Sequence, residues 1–177
     1  MLSGQIVVTA RVVLGVVFAV AAAGKLRSRQ RFTELAGSLA PLGGPSTDWR
    51  PVAAVLVAGE AGTAVLLALP ATTGIGLAAS TTLLVGLSAG IARVLRRGRV
   101  LRCRCFGSAG APLRRTHLVR NGLLAALSGG ALLAHLSGPA TVPLGLAAPP
   151  VLLGAFLAVL VVRWDDLAAL LTPVHRP

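Results

Sequence analysis

The chain consists mainly of long apolar runs that are separated by short polar or basic stretches. A helix needs about 20 apolar residues to cross the hydrocarbon core of a bilayer. Five stretches reach or approach this length, at residues 5–24, 51–69, 74–95, 119–136 and 144–162. The pattern therefore predicts one all-α integral membrane domain over residues 1–177, a polytopic transmembrane helical bundle with a fifth span.

Two of these stretches have a competing interpretation. Pro149 and Pro150 leave only about 12 uninterrupted apolar residues after them, so the last stretch either crosses the bilayer or re-enters it. Residues 12–20, followed by three alanines, also fit the hydrophobic region of a cleaved signal peptide. No basic residue precedes Arg11, however, and four basic residues follow between positions 25 and 31. We therefore expect the first span to be retained.

Lysine and arginine residues concentrate in the connections between alternate spans. Residues 25–50 hold five of them, residues 93–120 hold nine, and the C-terminal tail holds two. With five spans these basic residues share one side, and only Arg11 belongs to the other. The positive-inside rule then predicts a plasma-membrane protein with its N-terminus outside and its C-terminus and arginine-rich loop in the cytoplasm.

Composition supports a membrane protein and argues against a nucleic-acid binder. Of 177 residues 55% are hydrophobic and 12% charged, and the mean hydropathy of +0.82 is too apolar for a soluble domain. The net charge is +12, and most of the basic residues lie between the apolar runs, which indicates loops that face anionic membrane lipid. With no Tyr, two Trp and four Phe, base-stacking platforms are not visible, so nucleic acid is not expected as a partner.

Ionisable residues interrupt the first two spans. Glu60 lies near the middle of the second span, where an unpaired carboxylate costs roughly 2.5 kcal/mol or more. Arg11 in the first span differs from Glu60 in depth by about 4 Å at 1.5 Å per residue. These depths predict an Arg11–Glu60 pair, which either fixes helix register or polarises a bound headgroup, quinone or partner peptide. Lys25 ends the first span and is expected to reach outward to the interface.

The histidines do not predict a metal site. His135, near the end of the fourth span, is interpreted as an interfacial polar residue. His117 and the two cysteines would supply only three zinc ligands, without a fourth at an obvious spacing. The sequence therefore predicts neither a metal nor a cofactor.

Both cysteines of the chain, Cys103 and Cys105, lie in the basic segment after the third span. The thiolate is the reactive form of cysteine, and the neighbouring Arg102 and Arg104 are expected to lower the thiol pKa. A disulfide between residues two apart closes a small ring, and a strained, exposed disulfide is readily reduced. The pair is therefore interpreted as a redox or ligand pair, with two inert thiols as the alternative.

A set of residues distributed over the first four spans matches, in identity and order, a pattern found in a known family. The set comprises Arg11, Phe18, Gly24-Lys25, Gly59-Glu60, Cys103-Arg104-Cys105-Phe106-Gly107 and Arg120-Asn121. In this order the chain resembles the MauE family of methylamine-utilisation membrane proteins, related to the DoxX-like group of four-helix membrane proteins. The resemblance covers about residues 5–136, a DoxX-like four-helix core, and leaves residues 144–162 as an additional span.

The resemblance implies a membrane thiol-redox factor that assists disulfide or cofactor maturation of an exported enzyme, methylamine dehydrogenase in the type case. It implies a thioredoxin-like partner and assigns Cys103 and Cys105 as the catalytic redox pair. Arg11, Lys25, Glu60 and Asn121 would then be intramembrane polar or binding positions. An exported partner would meet the cysteines most easily outside, whereas the arginine distribution places them at the cytoplasmic face.

Two other function classes stay open. A non-catalytic scaffold or chaperone would bind its partner through Glu60 and the bundle face. A small transporter or quinone-site subunit would depend on Glu60 and Arg11. Replacing both cysteines by serine separates the redox factor, which would lose function, from the scaffold, which would keep it.

Overall fold

The computed structural model of the chain describes residues 2–39, 48–96, 115–138 and 142–164. Every regular element in these ranges is helical. The helices are α1 Leu2–Leu26, α2 Arg29–Leu39, α3 Arg50–Ala68, α4 Thr73–Arg96, α5 Arg115–Leu136 and α6 Ala148–Val162, with short 3-10 turns at Pro70–Thr72 and Leu144–Leu146. The predicted all-α membrane bundle is confirmed.

Three helices in the described residues are long and apolar enough to cross a membrane, and they lie at Leu2–Leu26, Arg50–Ala68 and Pro70–Arg96. With 22 residues α5 has the length of a span, but it contains Arg120, Asn121 and His135, which lower its apolar character. The 15 residues of α6 are fewer than the about 20 that a perpendicular span needs. A crossing by α5 and α6, and thus the count of five spans, stays a prediction.

The helix α1 is the centre of the bundle, because it packs against α3, α5 and α6, while α4 packs against α3 and α5. The core consists of aliphatic and aromatic side chains that these helices share, including Leu14, Phe18, Leu67, Leu77 and Leu124. In lipid these side chains hold adjacent helices together through van der Waals packing, because their burial there gains no hydrophobic driving force.

Contacts between helix ends show that sequential helices run antiparallel. The end of α5 reaches the start of α4, where the ring of His135 lies against Gly74. Likewise, the end of α3 lies beside Arg11 in the first half of α1. Consequently α1 ends, α3 begins, α4 ends and α5 begins at one end of the bundle, which we call the basic end after Lys25, Arg50, Arg96 and Arg115.

The closest helix approach brings α6 against α1 at Gly154. A Cβ atom at this position would lie 2.8 Å from Val12 Cβ and 2.9 Å from the carbonyl oxygen of Thr9. Thr9 also donates a hydrogen bond of 3.2 Å from its hydroxyl to the carbonyl oxygen of Pro150. A glycine is therefore required at position 154, and it allows the short helix α6 to pack directly on the backbone of α1.

A cluster of hydroxyl groups joins α4 to α5 in the middle of the bundle. Ser128 donates a 2.9 Å hydrogen bond to the carbonyl oxygen of Leu77, and Thr81 donates one of 2.9 Å to Ser128. The hydroxyls of Ser80 and Ser128, both fully buried, are hydrogen-bonded to each other. In a bilayer such polar contacts between helices replace the hydrophobic driving force that water supplies elsewhere.

The helix α2 was not predicted, since residues 25–50 were interpreted as a connecting loop. It has 11 residues, packs against α1 and α3, and buries Ala36. Phe32, Leu35, Ala36 and Leu39 recur at helical spacing within an otherwise polar segment. This amphipathic pattern is typical of a helix that lies along a membrane interface.

Candidate functional site

Lys25 and Glu60 form an ion pair inside the bundle between α1 and α3. The Lys25 Nζ atom donates to both carboxylate oxygens of Glu60 at 2.6 Å. The two side chains are only 5% and 4% exposed. Since both carboxylate oxygens accept from the ammonium group, the pair satisfies the charge that each partner brings into the apolar interior.

The predicted Arg11–Glu60 pair is wrong, and so is the prediction that Lys25 extends outward to the interface. Arg11 and Glu60 lie at similar depths, but Lys25 is buried and its Nζ atom contacts Glu60. An unpaired carboxylate in the membrane interior is costly, and this cost outweighs the hydration that Lys25 would gain at the interface. The structure therefore assigns to Lys25 the role that the sequence assigned to Arg11.

Arg11 binds the C-terminal end of α3. Its Nε atom donates to the carbonyl oxygen of Leu67 at 3.1 Å, and its Nη2 atom donates to that of Ala68 at 3.2 Å. The carbonyl oxygen of Leu66 accepts from the Thr72 hydroxyl at 2.7 Å, and that of Leu69 accepts from Thr72 N–H at 3.3 Å. All four carbonyls that a helix leaves without an internal partner are thus satisfied.

A positive charge at this position is also favoured by the negative end of the α3 dipole. Arg11 is therefore accounted for as a structural cap of α3, in contact with backbone rather than with Glu60. The chemistry expected of an Arg11–Glu60 site, polarisation of a bound headgroup or quinone between the two side chains, has no basis in this geometry.

Polar residues are also buried where α5 begins. Arg120 is 4% exposed and Asn121 is 7% exposed, and both lie in the second turn of α5. This is the basic end of the bundle, where α4 ends at Arg96. The sequence singled out Asn121 as a polar position, and the structure places it in the interior rather than on the lipid-facing surface.

The predicted catalytic pair, Cys103 and Cys105, lies outside the described residues. The chain between Arg96 and Arg115 connects the end of α4 to the start of α5, so the segment that contains both cysteines begins and ends at the basic end. The structure thus brings Lys25 and Glu60 together and places Arg11 toward the opposite end of α1.

The remaining histidine predictions concern α5. His117 lies in its first turn, and His135 lies in its last turn with its Cδ2 atom 3.2 Å from where a Cβ of Gly74 would be. Within the described residues no three His, Cys, Asp or Glu side chains are close enough to hold a metal ion.

The hydroxyl cluster of Ser80, Thr81 and Ser128 was not predicted from the sequence. A signal for it existed, because three hydroxyl residues follow one another at positions 80–82 in an apolar span. Hydroxyls within a span tend to bond a helix carbonyl or a neighbouring helix. The cluster joins helices and presents no group with acid, base or redox chemistry.

In a comparison with known families, the chain matches the model of methylamine utilisation protein MauE over residues 3–137. No curated protein matches the chain, and no solved structure matches it. The matched region contains α1 to α5, the Lys25–Glu60 pair and both cysteines, and it omits α6. Because the match covers well over half of the 177 residues, the chain belongs to the MauE family and is a membrane protein of that family.

Proposed function

We propose that this MauE-family membrane protein is a thiol-redox accessory factor that assists disulfide or cofactor maturation of an exported enzyme of methylamine utilisation. The observation that carries the proposal is the position of its only two cysteines. Cys103 and Cys105 lie two residues apart, next to Arg102 and Arg104, inside the family-matched region. Neighbouring guanidinium groups favour the thiolate, which is the form that attacks disulfides.

The proposed step is a two-electron exchange with a thioredoxin-like partner. The thiolate of one cysteine attacks a sulfur of the partner's disulfide, so a mixed disulfide forms and one partner thiolate leaves. The second cysteine then attacks the mixed disulfide, which gives the Cys103–Cys105 disulfide and the partner dithiol. Two electrons and two protons pass to the partner, and the reverse reaction returns them. No other co-reactant is needed.

The helical bundle supports this function as an anchor for the cysteine segment. The segment is attached to α4 and α5, which are joined to each other by the hydroxyl cluster and to α1 through packing. The Lys25–Glu60 pair holds α1 to α3 at the same end.

The geometry gives less support to the two alternatives. A scaffold or transporter that used Glu60 would need its carboxylate to face a partner or substrate. Both of its oxygens instead accept from Lys25, and its side chain is 4% exposed. Breaking that pair to bind something else would leave Lys25 charged and unpaired in the interior, at a cost of several kcal/mol.

We further propose that the protein lies in the plasma membrane with its basic end in the cytoplasm. The connections and tail at that end carry nearly all of the lysine and arginine residues, as the positive-inside rule requires. Intact cells should therefore show slow labelling of Cys103 and Cys105 by a membrane-impermeant maleimide, and permeabilised cells rapid labelling. Rapid labelling of intact cells would reverse the orientation.

The functional test is replacement of both cysteines in the full-length protein. In cells that make the exported enzyme, Cys103→Ser/Cys105→Ser should reduce the amount of mature, disulfide-bonded enzyme at least about tenfold, because exchange needs both thiols. Ser108→Ala, a change of one polar atom in the same segment, is the matched control and should leave maturation unchanged. Membrane levels of each variant are measured by immunoblot. Normal maturation with the double variant at wild-type level would refute the redox role.

A further inference from the structure

A cleft of about 440 Å³ lies at the basic end of the bundle, where α1 ends and α2 and α3 begin. None of the functions considered above uses it. Its lining combines two arginines, two hydroxyl residues and two apolar side chains, which are Arg29, Arg50, Ser28, Thr33, Leu26 and Phe32. The volume is within the range of about 300–1,000 Å³ that is usual for small-molecule sites.

The charge of the cleft is positive. In the described part of the chain, neither Arg29 nor Arg50 forms an ion pair with another side chain. Among the residues that the structure describes, no acidic side chain lines the cleft. Ser28 accepts the backbone N–H of Arg31 at 3.2 Å, so its hydroxyl hydrogen can be donated to a ligand. Guanidinium and hydroxyl groups together are the usual donors to phosphate oxygens.

The apolar part of the cleft identifies the kind of phosphate compound. Leu26 is the last residue of a membrane-spanning helix and is 62% exposed. Phe32 lies on the amphipathic helix α2, whose pattern is typical of a membrane interface. A free phosphate would use the arginines and leave Leu26 and Phe32 in water, whereas a lipid would place its glycerol and first acyl carbons against them.

We propose that this cleft binds the headgroup phosphate of an anionic phospholipid from the leaflet at the basic end. Arg29 and Arg50 bind the phosphate oxygens from two different helices, and the acyl chains leave the cleft along Leu26 and Phe32. The bound lipid links α2 to α3 and fixes the amphipathic helix at the membrane interface.

The test uses the full-length protein, purified in mild detergent after equilibration with phosphatidylcholine vesicles that contain a minor fraction of phosphatidylglycerol. Native mass spectrometry counts the phosphatidylglycerol molecules that stay bound. Each of Arg29→Gln and Arg50→Gln should weaken retention at least about tenfold, and the double variant about 100-fold, because each removes a charge-assisted hydrogen bond to the phosphate. Arg27→Gln, with the same charge change outside the cleft lining, removes only the general attraction of an interfacial cation and should weaken retention by no more than about fivefold.

Each other outcome overturns the proposal. Unchanged retention by the double variant would show that the cleft is not the lipid site. An equal loss for Arg27→Gln would show that net charge rather than the cleft retains the lipid. Displacement of the lipid by millimolar inorganic phosphate would show that the apolar lining contributes nothing and that the cleft is a simple phosphate site. Circular dichroism of each variant reports its folding, which the replacement of exposed arginines should not alter.

Discussion

The two polar contacts that join α1 to α3 differ in what they satisfy. Arg11 donates to two backbone carbonyls, which are neutral and stay partly accessible. Lys25 donates to a carboxylate, and both of those side chains are buried. Loss of Arg11 leaves two carbonyls that water or a neighbouring donor can reach. Loss of Lys25 leaves the Glu60 carboxylate without a cationic partner in the part of the chain that the structure describes. Loss of the Lys25 contact should therefore cost more free energy of unfolding than loss of the Arg11 contact.

The largest effect is expected from Lys25→Met. This variant leaves Glu60 in the interior without a cation, so we expect a loss of about 3 kcal/mol in the free energy of unfolding. Arg27→Met, which removes an exposed cation two residues away, should change that free energy by less than about 0.5 kcal/mol. Reversible unfolding in mixed detergent micelles measures both. Equal losses for the two variants would remove the distinction between a buried and an exposed cation.

A smaller effect is expected from Arg11→Gln. The side chain becomes too short to reach both carbonyls of α3, and we expect a loss of about 1.5 kcal/mol, as for a hydrogen bond to a charged group. Arg11→Lys keeps the charge near the helix end but donates from a single nitrogen, so it should lose about half as much. Unfolding under the same detergent conditions checks the order. A loss for Arg11→Gln larger than that for Lys25→Met would contradict the comparison.

The hydroxyl cluster provides a neutral reference between α4 and α5. Ser128→Ala removes the hydrogen bond to Leu77 and the acceptor for Thr81, and we expect a loss of about 0.6–1 kcal/mol. Ser137→Ala is the control, because the Ser137 hydroxyl donates only to the carbonyl of Leu133 in its own helix turn and is exposed. If Ser128→Ala cost as much as Lys25→Met, burial of charge would not be the determining factor.

The smallest net effect is expected when both members of the ion pair are replaced by apolar residues of similar size. In Lys25→Met/Glu60→Met neither member of the pair leaves an unpaired charge behind, so the free energy of unfolding should return to within about 1 kcal/mol of wild type. A thermodynamic cycle with the two single variants isolates the coupling between the side chains. Additive losses in the double variant would show that the two residues do not act on each other.

Hydropathy predicted the membrane helices well, because in lipid the backbone must form helices wherever a long apolar run occurs. The predicted stretches 5–24, 51–69 and 74–95 each lie within about a residue or two of the ends of α1, α3 and α4, apart from a longer start to α1. The structure adds α2, whose pattern of period 3.6 was hidden by the basic residues around it.

The partner of Glu60 could not be predicted from depth, because depth gives the position along a helix and not the direction in which a side chain points. Arg11 and Lys25 both lie on α1, and either could reach α3. Two acceptors competed for them, namely the carboxylate of Glu60 and the unsatisfied carbonyls at the end of α3. Because α1 and α3 are antiparallel, Arg11 lies beside the C-terminal end of α3 and Lys25 lies beside Glu60. The sequence does not show how the two helices face each other, so it could not assign these acceptors.

The central claim of the proposed function is that Cys103 and Cys105 exchange between dithiol and disulfide, and the most direct measurement is their redox titration. The purified full-length protein is equilibrated in glutathione buffers of increasing potential and trapped with a maleimide that adds a mass for each free thiol. We expect two labelled thiols at reducing potentials, none at oxidising potentials, and a single two-electron transition between them. Persistence of two labelled thiols across the whole range, or independent loss of each label through mixed disulfides with glutathione, would contradict the account.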